Sequence, residues 1–482
     1  MDLERFLAIE KQYALPEVNI DGFFFWTYAR AEIAWYIRDR IYKYDAAFPQ
    51  EKKTFIQKSA LRAKMIYNAL LHGCNFPGQH DVVVLNSARR VWMDDHYECV
   101  YSDDIVQELK STVVLEGLVD QKHYQPVNTP NLYYLDGMEV RAQLCFYFHQ
   151  YFRKKEFVSA KNRITDIIEE PLNQLALAYC VDINCADIVN MIIPQLFKYQ
   201  SMKNSCSRML KKIMPKVVLE VNADAMHCMV MTETAKEYDI PVVELQHGVM
   251  GKSHIVYNYP SDITVKQFPD YLFVFSDYWK WENRCPIPDR HIIPVGFPYL
   301  EKQKLKYPPN KERGKVVILF LSQGMISGQF AGMAAALVDA LDMDHYKIIF
   351  KLHPGEYATW KEKLGELQDI KEIEVVDNSA KSIYEYFAIA DIQIGYTSTS
   401  VYEGLSYNLD TYIYRKDQNP ETEGLVNLGY ARGFTSGEEL IQLVNNRDKE
   451  SDEADHAVEF WTRNAMKNIR ENVSKLISGE PI

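Results

Sequence analysis

Short, predominantly apolar runs alternate with helix-length segments along most of this 482-residue chain, and no other feature restricts the fold as much. Val82-Val83-Val84-Leu85, Thr112 to Leu115, Val217 to Val221, Pro241 to Leu245, Tyr271 to Phe275 and Ile292 to Gly296 form one series. Val316 to Leu321, Tyr346 to Leu352, Ile373 to Val376, Ile392 to Gly395 and Thr411 to Tyr414 form a second. Apolar runs this short, without polar alternation, suit strands covered on both faces. The helical segments between them supply the crossovers of a parallel sheet. Between the two series, residues 301–314 are Lys-rich and carry Pro308-Pro309, as a linker would. The expected fold is therefore α/β, with two Rossmann-like parallel-sheet domains facing a cleft, at 81–300 and 315–450.

Helices flank this plan. Residues 1–80 read as an N-terminal helical segment, in which Ala29, Ile33, Tyr36 and Ile37 keep a helical period with Arg30, Arg38 and Arg40 off it. A helical insertion is expected at about 140–214, and a terminal helix within 451–482 could pack back across the linker onto the first domain. The aromatic run from Phe23 to Ala29 is broken by Arg30 and Glu32, too short and too charged to span a bilayer. It reads as a helix face packed on its own domain rather than on a membrane surface.

A net charge of −12 argues against non-specific nucleic-acid binding, which needs a large basic surface, so no nucleic-acid partner is expected. Eight cysteines without a CxxC pair suit reduced thiols of a cytoplasmic protein. Met1-Asp2-Leu3-Glu4-Arg5 is not a signal-peptide start. With no HExxH and no clustered His, Cys and Asp, neither a metal nor another cofactor is expected.

Chemistry concentrates where strands end. Lys351-Leu352-His353-Pro354-Gly355-Glu356 ends a strand at a histidine that Pro354 biases to an extended conformation. Such an imidazole can donate to a phosphate oxygen, or bond a loop carbonyl instead. Thr397-Ser398-Thr399-Ser400 lies between a strand and a helix. Backbone N–H groups and hydroxyls there make an anion site, although one hydroxyl would serve as an ordinary cap. Glu403, one turn on, is a candidate for a ribose or sugar hydroxyl, or a first-turn acid favoured by the helix dipole. Gln323, in the Ser322-Gln323-Gly324 loop, and Lys351 are further candidates on the phosphate side.

On the other domain, Gln246-His247-Gly248 exposes a histidine that could take a proton from an attacking hydroxyl. Arg89 and Arg90 suit recognition of an anionic acceptor group, and Asp95 is the rival base.

Gln-His-Gly at a strand end, Lys-Leu-His-Pro and the Thr-Ser-Thr-Ser…Glu-Gly-Leu helix start together resemble bacterial GT-B glycosyltransferases of capsule and O-antigen biosynthesis. The CMP-sugar-dependent sialyl- and Kdo-transferases and the teichoic-acid glycerophosphotransferases are the nearest likenesses, over residues 215 to 430. The resemblance implies a metal-independent transferase taking a nucleotide-sugar donor and a glycan or glycolipid acceptor, with peripheral contact to the inner-membrane surface an open expectation. It implies His353 and Ser398, Thr399 or Ser400 on the nucleotide phosphate. His247 is implied as base. The paired acids followed by glycine of the sialyltransferases are missing, since Asp94-Asp95-His96 and Asp103-Asp104-Ile105 lack the glycine. The base therefore stays open between His247 and Asp95. A nucleotide-sugar 2-epimerase, a polyol-phosphate transferase or a non-catalytic polysaccharide-assembly protein would suit the same fold.

Overall fold

A computed structural model describes residues 1–42, 54–71, 76–87, 90–117, 123–281, 284–311, 314–416, 420–447 and 457–482. In chain order the first strands are β1 (Val82–Asn86), the hairpin β2 (Val91–Met93) and β3 (His96–Glu98), β4 (Thr112–Glu116), β5 (Leu132–Tyr134), β6 (Val217–Glu220), β7 (Val242–Leu245), β8 (Tyr271–Val274) and β9 (Ile292–Pro294). Among the described residues seven of these form one sheet, ordered β5-β4-β1-β6-β7-β8-β9, and every pairing in it is parallel. The second sheet holds β10 (Val316–Leu321), β11 (Tyr346–Lys351), β12 (Ile373–Val376), β13 (Ile392–Gly395), β14 (Asp410–Tyr414) and β15 (Arg432–Phe434). Its order is β12-β11-β10-β13-β14-β15, again all parallel. Two parallel sheets clad in helices are what the alternating runs predict. β5 and β15 carry no such run: each is a three-residue edge strand that follows its neighbour's register.

Side-chain alternation divides each sheet between two packing layers. Val82 and Val84 face Ile469, Val473 and Leu476, whereas Val83 and Leu85 face the N-terminal and inserted helices. The inserted helices are Asp136–Phe152, Lys154–Tyr179 and Cys185–Ile213. In the second sheet, Ile318, Phe320, Ile348 and Phe350 pack with Phe330 and Leu337 of the helix Ser327–Ala340.

Arg30 lies on the helix Phe25–Tyr42 and is not a surface charge. Its guanidinium is buried against Glu10 at 2.8 Å, and it donates to the carbonyls of Ile255 and Asn258. Trp26 Nε1 donates to the same Glu10 carboxylate at 2.7 Å. A cation this deep persists because every direction it donates in meets an acceptor. The network ties both N-terminal helices to a loop of the first domain.

The chain returns to that domain at its end. The helix Ala457–Phe460 leads through Trp461 and Thr462 into Ala465–Ser478, with a break at Asn464, whose φ is 62°. Thr462 N–H donates to the Phe275 carbonyl, Trp279 Nε1 to the Phe460 carbonyl, and Trp461 Nε1 to the Tyr402 carbonyl in the second domain. Gly296, at φ +94°, makes this approach possible: a Cβ there would lie 2.1 Å from the Thr462 carbonyl oxygen. Gly296→Ala is expected to lose about 3 kcal/mol, from the left-handed backbone and the overpacked contact together. Denaturant unfolding checks this, and a variant as stable as the parent would show that the terminal segment adjusts freely.

Candidate functional site

A backbone-to-hydroxyl contact joins the carboxyl edges of the two sheets. After β7 the chain turns through Gln246-His247-Gly248, and the N–H of Val249 donates to Thr399 Oγ1 of the second domain at 3.2 Å. Gln246 shapes the turn. It is buried, donates to the Gly248 carbonyl at 2.8 Å and accepts from the Phe275 N–H at 2.7 Å. Ligands of open α/β folds bind at this carboxyl edge.

On the second domain, β11, β10 and β13 lie side by side and deliver His353, Gln323 and Thr397 in turn. Gln323 accepts from the Thr397 N–H and donates to Thr397 Oγ1, both at 2.9 Å, which pins the hydroxyl run to the β10 exit. His353 is exposed, and its Nδ1 accepts from the Gly355 N–H at 3.1 Å. In the neutral ring the proton must then sit on Nε2. The His353 N–H donates to Glu356 at 2.8 Å, and Ser322 Oγ donates to the other Glu356 oxygen at 3.2 Å. Glu356 thus fastens the His-Pro loop to the β10 loop.

Three of the four hydroxyls have structural work. Thr397 is held by Gln323, Ser398 caps the helix Thr399–Leu405 by accepting from the Ser400 N–H, and Thr399 receives Val249. Ser400, half-buried, completes the run.

Two phosphate-side expectations change. Lys351 is buried, and its ammonium donates to Tyr357 Oη and to the carbonyls of Leu352 and Asn378. It closes the β11 loop from behind rather than reaching toward a phosphate. Glu403 sits beside Tyr384, Tyr299 and Tyr407, and burial raises its carboxyl to about 7 against the hydrogen bond from Tyr384 that lowers it. Its surroundings are phenols from both domains, not a helix-dipole position open to water.

The first domain supplies a cluster around His247. Its Nδ1 lies 3.5 Å from Glu244 Oε1, and the ring of Tyr101 meets it edge-on at 6.1 Å between centroids. Glu244 is fully buried and accepts from Tyr257 Oη at 2.7 Å and the Ala223 N–H at 3.2 Å. Burial raises the Asp224 carboxyl, against the nearby His247 and reinforced by Glu244. Burial also lowers His254 to about 4, so that ring is neutral at pH 7.

The acceptor-side arginine does not face a ligand. Arg90 has a fully buried guanidinium, ion-paired to Glu116 at 2.6 Å and Asp103 at 2.8 Å and donating to Thr129 Oγ1. Buried between two carboxylates and a hydroxyl, it holds β4 to the loop after β1 rather than facing solvent. Arg89 lies outside the described residues. Asp95 stands at the tip of the β2–β3 hairpin with its side chain 85% exposed, 2.7 Å from His96 Nδ1. It is not brought into the His247 cluster.

Sequence reasoning missed Glu244, Asp224, Tyr257 and Glu356. A signal existed for Glu244, a lone acid inside the apolar run Val242-Val243-Glu244-Leu245, because an unpaired carboxylate is rarely placed in a doubly covered strand. Asp224 sits in a turn and Tyr257 ends the short 3-10 helix Ile255–Tyr257, and only tertiary packing brings them to β7.

No protein-family model matches this chain, and no curated protein matches it by sequence. Solved structures do match by shape. The UDP-GlcNAc 2-epimerase of Methanocaldococcus jannaschii superposes with a TM-score of 0.50 at 12% identity, over 82% of this chain and 99% of that one. The UDP-GlcNAc 2-epimerase of Neisseria meningitidis, solved with UDP-GlcNAc, gives 0.45 at 12% identity, over 82% and 99%. The wall teichoic acid polymerase TagF gives 0.44 at 10%, over 89% and 99%. The likeness is one of fold. The chain has a GT-B-like fold of two parallel-sheet α/β domains.

Two stability outcomes follow. Arg90→Met is expected to cost about 3–5 kcal/mol, because it strands two buried carboxylates. A loss under about 1 kcal/mol by denaturant unfolding would show that the buried ion pairs contribute no more than exposed ones do. For Glu403 the folded state keeps a proton that the unfolded chain releases near pH 4.5. Stability should therefore fall as pH rises from about 4.5 to about 7 and then level off. Glu403→Gln should flatten that part of the melting-temperature profile, and an unchanged slope would assign it to other groups.

Proposed function

We propose that this chain is a glycosyltransferase that moves a sugar from a nucleotide-sugar donor to a polysaccharide or glycolipid acceptor. The observation that carries the reading is the Val249–Thr399 contact, which sets the His247 turn of one sheet against the hydroxyl-bearing turn of the other. The second domain would hold the nucleotide. His353, with the Nε2 proton of its neutral ring, and Ser400 are its candidate phosphate donors, on a turn built by Gln323, Thr397 and Ser398. Such donors stabilise a leaving phosphate without a metal. The first domain would hold the acceptor, with His247 taking the proton of its hydroxyl as that oxygen bonds to the donor sugar.

A nucleotide-sugar 2-epimerase is the second reading, and the fold likeness to the Methanocaldococcus jannaschii enzyme favours keeping it. Incubation with UDP-GlcNAc and no acceptor separates the two. Conversion of the sugar, followed by proton NMR, would displace the transferase reading.

The transferase reading expects different failures from the two histidines. His247→Ala should lower turnover by about 10²–10⁴-fold with nucleotide affinity kept. His353→Ala should weaken nucleotide binding in calorimetry. Full activity of His247→Ala, or unaltered nucleotide affinity of His353→Ala across CMP, CDP, UDP and GDP, would remove the corresponding role.

A further inference from the structure

Glu244 and His247 each bury a polar atom that lacks a hydrogen-bond partner. Glu244 Oε2 and His247 Nδ1 both have none among the described residues, although Glu244 Oε1 stands only 3.5 Å from that nitrogen. Leaving such atoms unpaired is costly, and the Glu244 carboxyl group is the acceptor that stands beside Nδ1. The turn after Leu245 folds His247 back over the carboxylate that precedes it on β7. We propose that Glu244 is the positioning residue for His247: it keeps the ring protonated at Nδ1 and presents Nε2 as the unprotonated, proton-accepting nitrogen.

The groups packed around Glu244 present it as an acceptor, with Tyr257 Oη and the Ala223 N–H both donating to its Oε1. Glu220 is its neighbour across the β6–β7 register and receives the Thr232 hydroxyl at 3.0 and 3.1 Å. Burial, reinforced by Glu244 beside it, pushes the Glu220 carboxyl well above the usual range. Burial likewise keeps the Tyr257 phenol protonated, as the donor to Glu244 that the geometry shows. His254 is neutral and brings no competing cation, and Asp224 adds a second acid on the His247 side. Because Glu244 Oε1 is already occupied by Tyr257 and Ala223, its orientation is fixed before His247 docks on it.

The inference rests on the transferase reading for its chemistry. The acceptor O–H proton would pass to Nε2 while the acceptor oxygen bonds to the anomeric carbon. The bond from that carbon to the phosphate oxygen breaks, and its electron pair leaves with the nucleotide. The imidazolium so formed would face Glu244 through Nδ1–H.

Nitrogen NMR of the ¹⁵N-histidine-labelled protein, with His247 assigned from its loss in His247→Asn, tests the positioning directly. The unaltered protein should show the Nδ1–H tautomer at His247. In Glu244→Gln the amide oxygen should take the Tyr257 and Ala223 contacts and turn its NH₂ toward Nδ1, which must then accept. The tautomer should invert, with turnover falling at least about 100-fold and nucleotide affinity unchanged. Glu244→Asp should restore the tautomer and part of the rate. An Nε2–H tautomer in the unaltered protein overturns the proposal, even if Glu244→Gln does not fold. So does an unchanged tautomer in a folded Glu244→Gln. Inversion of the tautomer in a protein that transfers no sugar would uphold the positioning and overturn the transferase reading instead.

Discussion

Everything at the cleft depends on how Phe275 is held. Its N–H is taken by Gln246 Oε1, which forms the His247 turn, and its carbonyl is taken by the Thr462 N–H of the returning C-terminal segment. One peptide neighbourhood therefore ties the candidate base to the segment that bridges the domains. Trp461 carries the tie onward by donating to the Tyr402 carbonyl in the second domain. Its ring packs on Phe275 and Phe297 of the first. Hydrogen bonds this enclosed are short of alternatives, so the spacing of the two sheets is set by few degrees of freedom.

The two carboxyl edges are built from different chemistry. The second domain offers hydrogen-bond donors: an imidazole whose Nδ1 accepts from Gly355, and a hydroxyl run with most members committed to Gln323, a helix cap and Val249. The first domain offers carboxyl groups, Glu244, Glu220 and Asp224, gathered under one histidine. Donors on one side suit an anion, and a carboxylate-backed imidazole on the other suits proton removal. That division is the physical content of the functional reading, and it does not depend on the fold likeness.

Much of the fold was legible because strands covered on both faces are apolar over most of their length. β1, β4, β6, β7 and β8 in one domain and β10, β11, β12, β13 and β14 in the other all show it. β5 and β15 escaped because an edge strand of three residues needs only a neighbour's register. The candidate site was less legible. His247, His353, Gln323 and Thr397 to Ser400 are at strand exits, where the chain pattern points. Arg30 stood off the apolar period of its helix, Arg90 read as a ligand for an anionic acceptor group, and Lys351 read as a phosphate-side candidate. Each is buried because acceptors distant in sequence surround it: Glu10 for Arg30, Glu116 and Asp103 for Arg90, and the Asn378 carbonyl for Lys351.

The sequence by itself determined two parallel sheets and the two histidines at their carboxyl edges, since local apolar pattern and strand termination are properties of neighbouring residues. Tertiary structure alone decided which charges face the cleft and which are consumed in holding it. Whether a side chain binds a ligand depends on what already occupies its donors, and those partners come from elsewhere in the chain. It also decided that Asp95 stands in solvent while Glu244, unremarked within its strand, lies beneath His247.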